Sequence, residues 1–262
     1  MLKIFVKTLA DDNVKNIKYM MLLLNDKQEI FDLLYEHGNL GYIKILREIS
    51  PHIDIHANNE NAFRCACREG YFDIVKWLWG ISRGEMKKPI DIHVDDEYAF
   101  RSSCGEGHLE IAKWLLEISI QNSDIIDIHA RDDVAFCWSC EGGYIDVAKW
   151  LWEISQRETK NLINIHVDYE YPFRFSCEEG HLDMAKWLWE ISEGNINIHV
   201  IDDFAFRRAC TGGHLDVAKW LWEVSQREMF DDNKWPINIH VDNDIIFKNS
   251  PKKVIEWIKS LK

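Results

Sequence analysis

The sequence has no stretch approaching the roughly 20 apolar residues that a bilayer-spanning helix needs, so no membrane-spanning segment is expected. Its first residues, Met1-Leu2-Lys3-Ile4-Phe5-Val6-Lys7, lack the apolar core and small-residue cleavage site of a secretory signal. Positive charge is short as well. The chain carries 31 Lys and Arg against 44 Asp and Glu, for a net charge of −13. Such a balance lacks the basic face that phosphate neutralisation demands. It also disfavours a broad contact with anionic lipid, so neither nucleic acid nor membrane is an expected partner. A disulfide framework is missing too. The seven cysteines are an odd number and five recur at one repeated position, which suits small buried residues in a reducing compartment. Finally, there is no Gly-x-Ser-x-Gly, no phosphate-cradling glycine loop and no His-Glu-x-x-His. The expectation is a soluble, intracellular, monomeric protein with no catalytic residues, no metal and no cofactor.

What is present is repetition. Aligned on the dipeptide Ile-His, five ungapped copies of 27 residues appear: 56–82, 93–119, 129–155, 166–192 and 199–225. Length variation falls outside them, in connecting segments of 10, 9, 10, 6 and 14 residues. The shortest connection gives a period of 33, from His166 to His199. Domain organisation follows from this register. Residues 1–54 are an N-terminal helical region with a degenerate capping repeat, including a helix over Val14–Leu24. Residues 55–239 hold the five intact repeats. Residues 240–262, starting at His240, are a truncated C-terminal cap in which Trp257 stands in the tryptophan register. Worn end copies are expected because each end of a stack has one uncovered face.

Within a copy, the acidic run Asp168-Tyr169-Glu170 before Pro172 suits an N-cap followed by a first-turn proline, and a first helix runs to about Glu179. Gly180 supplies the turn, and a second helix spans Leu182 to about Ser192. Its apolar arc is unusually wide. Leu188 points inward, Trp187 and Trp189 flank it by about 100° to either side, and Asp183, Lys186 and Glu190 form the wet stripe. Ten of the twelve tryptophans occupy second helices or their equivalents, which makes them packing residues between repeats. Trp138 is an exception: it sits in a first helix where other copies have Cys65, Ser102, Phe175 and Arg208.

The run Gly213-His214-Leu215-Asp216-Val217-Ala218-Lys219-Trp220-Leu221-Trp222 resembles the second helix of the ankyrin repeat. Tyr171-Pro172-Phe173-Arg174 is similar to a degenerate form of its Thr-Pro-Leu-His signature. The particular flavour resembles the ankyrin repeat proteins of giant DNA viruses of amoebae. The resemblance covers about residues 25–262. It implies an all-α solenoid of helix-turn-helix repeats with hairpin-like finger loops, a protein-binding role, and, for a viral chain, the host cytoplasm. The family's signature histidine is replaced here by Arg64, Arg101, Cys137, Arg174 and Arg207, and the usual Gly-Ala-Asp turn is absent.

The recurring histidines (His56, His93, His129, His166, His199) and cysteines (Cys67, Cys104, Cys140, Cys177, Cys210) invite a metal reading. Equivalent residues in adjacent repeats stand about 8–10 Å apart, whereas zinc ligands lie within bonds of about 2.0–2.3 Å. A column therefore cannot chelate one ion; histidine is expected to order the finger backbone and cysteine to fill a small core site. Candidate partner contacts follow the opposite logic, as positions that differ between copies while their neighbours stay fixed. They are Asn58, Asn59, Asp95, Arg131, Asp168, Tyr169 and Ile201 at the fingers, Ser102, Trp138, Phe175 and Arg208 in first helices, and Arg68 before the turn. The acidic fingers favour a protein partner with a basic surface. An alternative role is a substrate-recruiting adaptor for a host ubiquitin ligase, whose docking helix would have to lie in residues 1–50 or at the terminus, where no F-box is recognisable. An enzyme or metal protein is a third, weaker reading.

Overall fold

In the first two copies the terminal serine ties the end of the second helix to the segment that follows it. In the computed structural model, which describes residues 27–84, 88–157, 162–228, 236–239 and 246–261, Ser82 Oγ donates to the Trp79 carbonyl at 2.9 Å and accepts the Ile90 N–H at 3.3 Å. Ser119 repeats this with the Leu116 carbonyl (2.7 Å) and the Ile126 N–H (3.2 Å). The hydroxyl thus joins the end of a second helix to the start of the next finger. Buried isoleucines at alternate positions then anchor the chain ahead of each histidine: Ile53 and Ile55, Ile90 and Ile92, Ile126 and Ile128, Ile163 and Ile165, Ile196 and Ile198.

Thirteen α-helices are assigned among the described residues. They are α1 (Lys27–Glu36), α2 (Leu40–Ile49), α3 (Ala57–Arg68), α4 (Phe72–Gly84), α5 (Val94–Gly105), α6 (Leu109–Gln121), α7 (Ala130–Glu141), α8 (Ile145–Ser155), α9 (Val167–Glu178), α10 (Leu182–Ile191), α11 (Val200–Gly212), α12 (Leu215–Glu228) and α13 (Lys252–Lys259). Packing divides the chain into two units: Met1–Ser103 with Glu110–Ile126, and Cys104–Leu109 with Asp127–Lys262. In the first, α1 packs on α2 and α3, and α3 on α4. In the second, α7 packs on α8 and α9, α9 on α10 and α11, and α11 on α12. The expected helix at Val14–Leu24 and the start of the C-terminal cap at 240–245 lie outside the described residues.

The packing expectations for the helices hold. Leu188 is fully buried, Trp187 and Trp189 are half-buried, and Asp183, Lys186 and Glu190 are exposed. In the third and fifth copies the phenylalanine of the first helix stands between a tryptophan of its own second helix and one of the next. Phe136 lies 6.5 Å from Trp152 and 6.1 Å from Trp187; Phe206 lies 6.3 Å from both Trp222 and Trp257. Trp257 therefore occupies the tryptophan register assigned to it from sequence. The five recurring cysteines are buried free thiols.

The glycine turn is needed for two reasons. Gly180 has φ +83°, and its neighbours close the left-handed helix end through His181 N–H to Ser176 O at 2.8 Å. A Cβ there would also stand 2.3 Å from His214 Nδ1, because the histidine of the next repeat's Gly-His-Leu run covers this glycine. Gly180→Ala is expected to cost about 2–4 kcal/mol, combining left-handed strain with overpacking by a rigid ring. Urea unfolding measures this, and an unchanged midpoint would refute the cover.

Candidate partner-binding site

The fingers are not hairpins. Each is a single left-handed turn of three consecutive residues, and no strand is formed among the described residues. The turns are Asn58–Asn59–Glu60, Asp95–Asp96–Glu97, Arg131–Asp132–Asp133, Asp168–Tyr169–Glu170 and Ile201–Asp202–Asp203, with φ from +44° to +65°. The acidic run read from sequence as an N-cap is this turn. Left-handed torsions cost L-residues about 1–2 kcal/mol each, so something must hold them.

Two clamps do so. The histidine before the turn donates from Nδ1 to the acid that ends it: His56 to Glu60 at 2.8 Å, His93 to Glu97 at 2.8 Å, His129 to Asp133 at 2.6 Å, His166 to Glu170 at 2.8 Å and His199 to Asp203 at 2.6 Å. That acid is buried in every case. It also accepts a backbone N–H from the next finger, Asp91 to Glu60 at 3.4 Å, Asn164 to Asp133 at 2.8 Å, Asn197 to Glu170 at 3.3 Å and Asn238 to Asp203 at 2.9 Å. The histidine column orders the finger backbone, as expected. Burial alone would lower the His93 pKa, but its hydrogen bond to Glu97 and the fields of Glu97, Asp124 and Asp91 outweigh it and hold the pKa above the usual histidine value.

The second clamp is the arginine eight residues after the histidine, present in four of the five repeats and replaced by Cys137 in the third. Arg101 donates to the Asp96 and Asp95 carbonyls at 2.6 and 2.7 Å. Arg174 does the same to Tyr169 and Asp168 at 2.6 and 2.9 Å, and Arg207 to Asp202 and Ile201 at 2.7 and 3.0 Å. Arg64 reaches the Asn58 carbonyl at 3.2 Å and pairs with the Asp95 carboxylate. Arg101, Arg174 and Arg207 thus each grip two carbonyls of their own turn. Charge-assisted bonds contribute about 1.5–3 kcal/mol each, enough for the two clamps together to outweigh the strain of one turn.

The sequence-predicted contact residues divide accordingly. Asn58, Asn59, Asp95, Arg131, Asp168, Tyr169, Ile201 and Arg208 are exposed, while Arg68, Trp138 and Phe175 are half-buried. Tyr169 and Ile201 are 70% and 46% exposed. Ser102 is a correction. It is 3% exposed and its hydroxyl donates to the Ala99 carbonyl, because so small a side chain is covered by its neighbours. Arg68 is held by Glu69 and Arg208 by Glu178.

Three of these residues, Arg131, Trp138 and Asp168, share the lining of one cleft of about 250 Å³ between the third and fourth repeats. Sequence reasoning did not name Asp132, Val134 and Tyr171 as site residues, and it noted Cys137 only as a departure from the arginine of the other copies. Phe175 backs the cleft by stacking on Tyr171, centroids 4.2 Å apart, and the Tyr171 hydroxyl donates to Glu141 at 2.7 Å. Burial chiefly, then the fields of Asp133, Asp168 and Glu141, pushes the Cys137 thiol up to about 12. A larger, polar cleft of about 510 Å³ lies between the ends of α9 and α11, where Glu178 and Arg208 pair.

The chain matches no protein-family model, and no curated protein matches it either. Among the described residues, no three His, Cys, Asp or Glu side chains stand close enough to hold a metal ion, and no helix is long and apolar enough to cross a membrane.

Proposed function

We propose that this chain is a non-enzymatic protein-interaction scaffold of the ankyrin repeat type, related to those of amoebal giant viruses, which binds a partner through its finger turns and first helices. One observation carries the reading. The side chains that recur in each copy (the histidine, the terminal acid, the serine, the cysteine and, in four copies, the arginine) are engaged in holding the repeat together. The side chains that differ between copies lie mostly on the exposed turn and the adjoining face of the first helix. A surface free of scaffold duty and varied copy by copy is what selective recognition uses. The acid ending each turn is buried and bonded, so the exposed acids of the turns are Asp95, Asp96, Asp132, Asp168 and Asp202, of which Asp95 pairs with Arg64.

Joint replacement of Arg131, Trp138, Tyr169 and Phe175 by serine is expected to weaken partner capture more than about 30-fold, as loss of even one aromatic hot spot does. Affinity purification from host cells with each version of the protein measures this, with circular dichroism to confirm retained helix. Equal capture by a folded variant would refute the surface assignment.

A further inference from the structure

The third repeat departs from the others at the place where they seat a guanidinium. In the first repeat, Arg64 lies under the Asn58 carbonyl, pairs with Asp95 and sits 5.1 Å from the Tyr98 ring. In the fourth, Arg174 holds the Asp168 and Tyr169 carbonyls and sits 4.9 Å from the Phe204 ring. The seat thus has three parts: carbonyls of its own finger turn, an aromatic ring five residues after the next repeat's histidine, and, for Arg64, the next finger's aspartate. In the third repeat Cys137 stands at the arginine position. The corresponding parts are the main chain of Arg131 and Asp132, the Asp168 carboxylate and the Tyr171 ring. All four residues line the 250 Å³ cleft. Val134 adds room, since it stands where other repeats have Asn61, Tyr98, Tyr171 and Phe204.

We propose that this cleft is a receptor for the guanidinium group of an arginine side chain presented by a partner protein. The proposal rests on the partner-binding reading above for the source of that arginine, and it names the chemistry that reading left open. A guanidinium is planar, so it can lie between the Trp138 and Tyr171 rings while donating to main-chain carbonyls and to Asp168. Lysine offers a compact ammonium that cannot bridge these groups at once. Arg131 brings one positive charge to the rim, but Asp132 and Asp168 bring two negative charges, and Asp133 and Glu141 add to the field at the floor.

The test follows the Trp138 indole N–H in the full chain by ¹⁵N-correlated NMR, assigned with Trp138→Phe. The probes are methylguanidinium, acetyl-Gly-Arg-Gly-amide and acetyl-Gly-Lys-Gly-amide. The arginine peptide is expected to shift the signal saturably, at least tenfold more tightly than the lysine peptide. Asp168→Asn is expected to weaken it roughly tenfold. Cys137→Arg, which restores the clamp of the other repeats, is expected to abolish binding while leaving the thermal midpoint unchanged or higher. If that variant does not fold, Asp168→Asn decides alone. Equal binding of both peptides, or arginine binding undiminished in the folded Cys137→Arg or in Asp168→Asn, would overturn the proposal. Methylguanidinium binding as tightly as the peptide would overturn the protein source and assign the seat to a small guanidinium compound. Host-protein capture unaffected by Cys137→Arg but lost on the fourfold replacement would overturn the arginine receptor alone and leave the partner-binding reading standing.

Discussion

Glu170→Ala is expected to destabilise the second unit by about 3–5 kcal/mol, the range for removing one partner of a buried, bonded charge. Glu170 is 7% exposed and accepts two hydrogen bonds, from His166 Nδ1 at 2.8 Å and from the Asn197 N–H at 3.3 Å. Truncation leaves an imidazole and a backbone amide without their acceptor, each a penalty of about 1–3 kcal/mol. It also releases three left-handed residues, 168–170, from one of their two clamps. Glu170→Gln keeps an acceptor oxygen but loses the charge, and about half the loss is expected. Tyr169→Ala on the same turn removes a side chain that is 70% exposed and should stay within about 0.5 kcal/mol of the parent. Thermal and urea unfolding of the three variants would show the order. Equal stability of Glu170→Ala and Tyr169→Ala would refute the clamp.

Phe136→Ala is expected to cost a similar amount, about 3–5 kcal/mol, through a different cause. The ring is 1% exposed and wedged between Trp152 of its own repeat and Trp187 of the next. Neither tryptophan can follow it inward, because each is fixed by its own helix, so truncation leaves a cavity and loses two aromatic contacts of about 0.5–1.5 kcal/mol each. Trp138→Ala, two residues along the same helix, removes a larger but half-buried ring and should cost less. Calorimetry distinguishes the two. A loss at Phe136 below about 1 kcal/mol would mean that the aromatic row between repeats is not a principal source of stability.

These comparisons show which parts of the molecule were legible beforehand. The second helices were, because a wide apolar arc at helical spacing admits one packing: Leu188 inward and Trp187 and Trp189 to the sides. The glycine turns and the register of Trp257 were legible for the same reason. The left-handed turns were not. Asp-Tyr-Glu before Pro172 satisfies the rules for a helix start, and no propensity favours three consecutive left-handed L-residues. The available signal was correlation: histidine, an acid four residues later and arginine eight residues later recur together in four copies. The cleft was half legible. Arg131, Trp138 and Asp168 stood out as departures, and Cys137 was noted where arginine was missing. Tyr171 and Val134 joined them only when the next repeat was laid beside the third. Ser102 misled because variation between copies marks a position as free, whereas a small side chain can vary while staying covered.

The acid that ends the turn in four of the five repeats has one donor in its own repeat and one in the next. A repeat taken alone bears the whole cost of its left-handed torsions, about 3–6 kcal/mol for three residues, yet closes only part of the network that offsets it. In a one-dimensional Ising description of each unit, the intrinsic term is unfavourable and the nearest-neighbour coupling strongly favourable. Such a chain melts in long correlated blocks, and truncating it by one repeat removes more than one repeat's share of order.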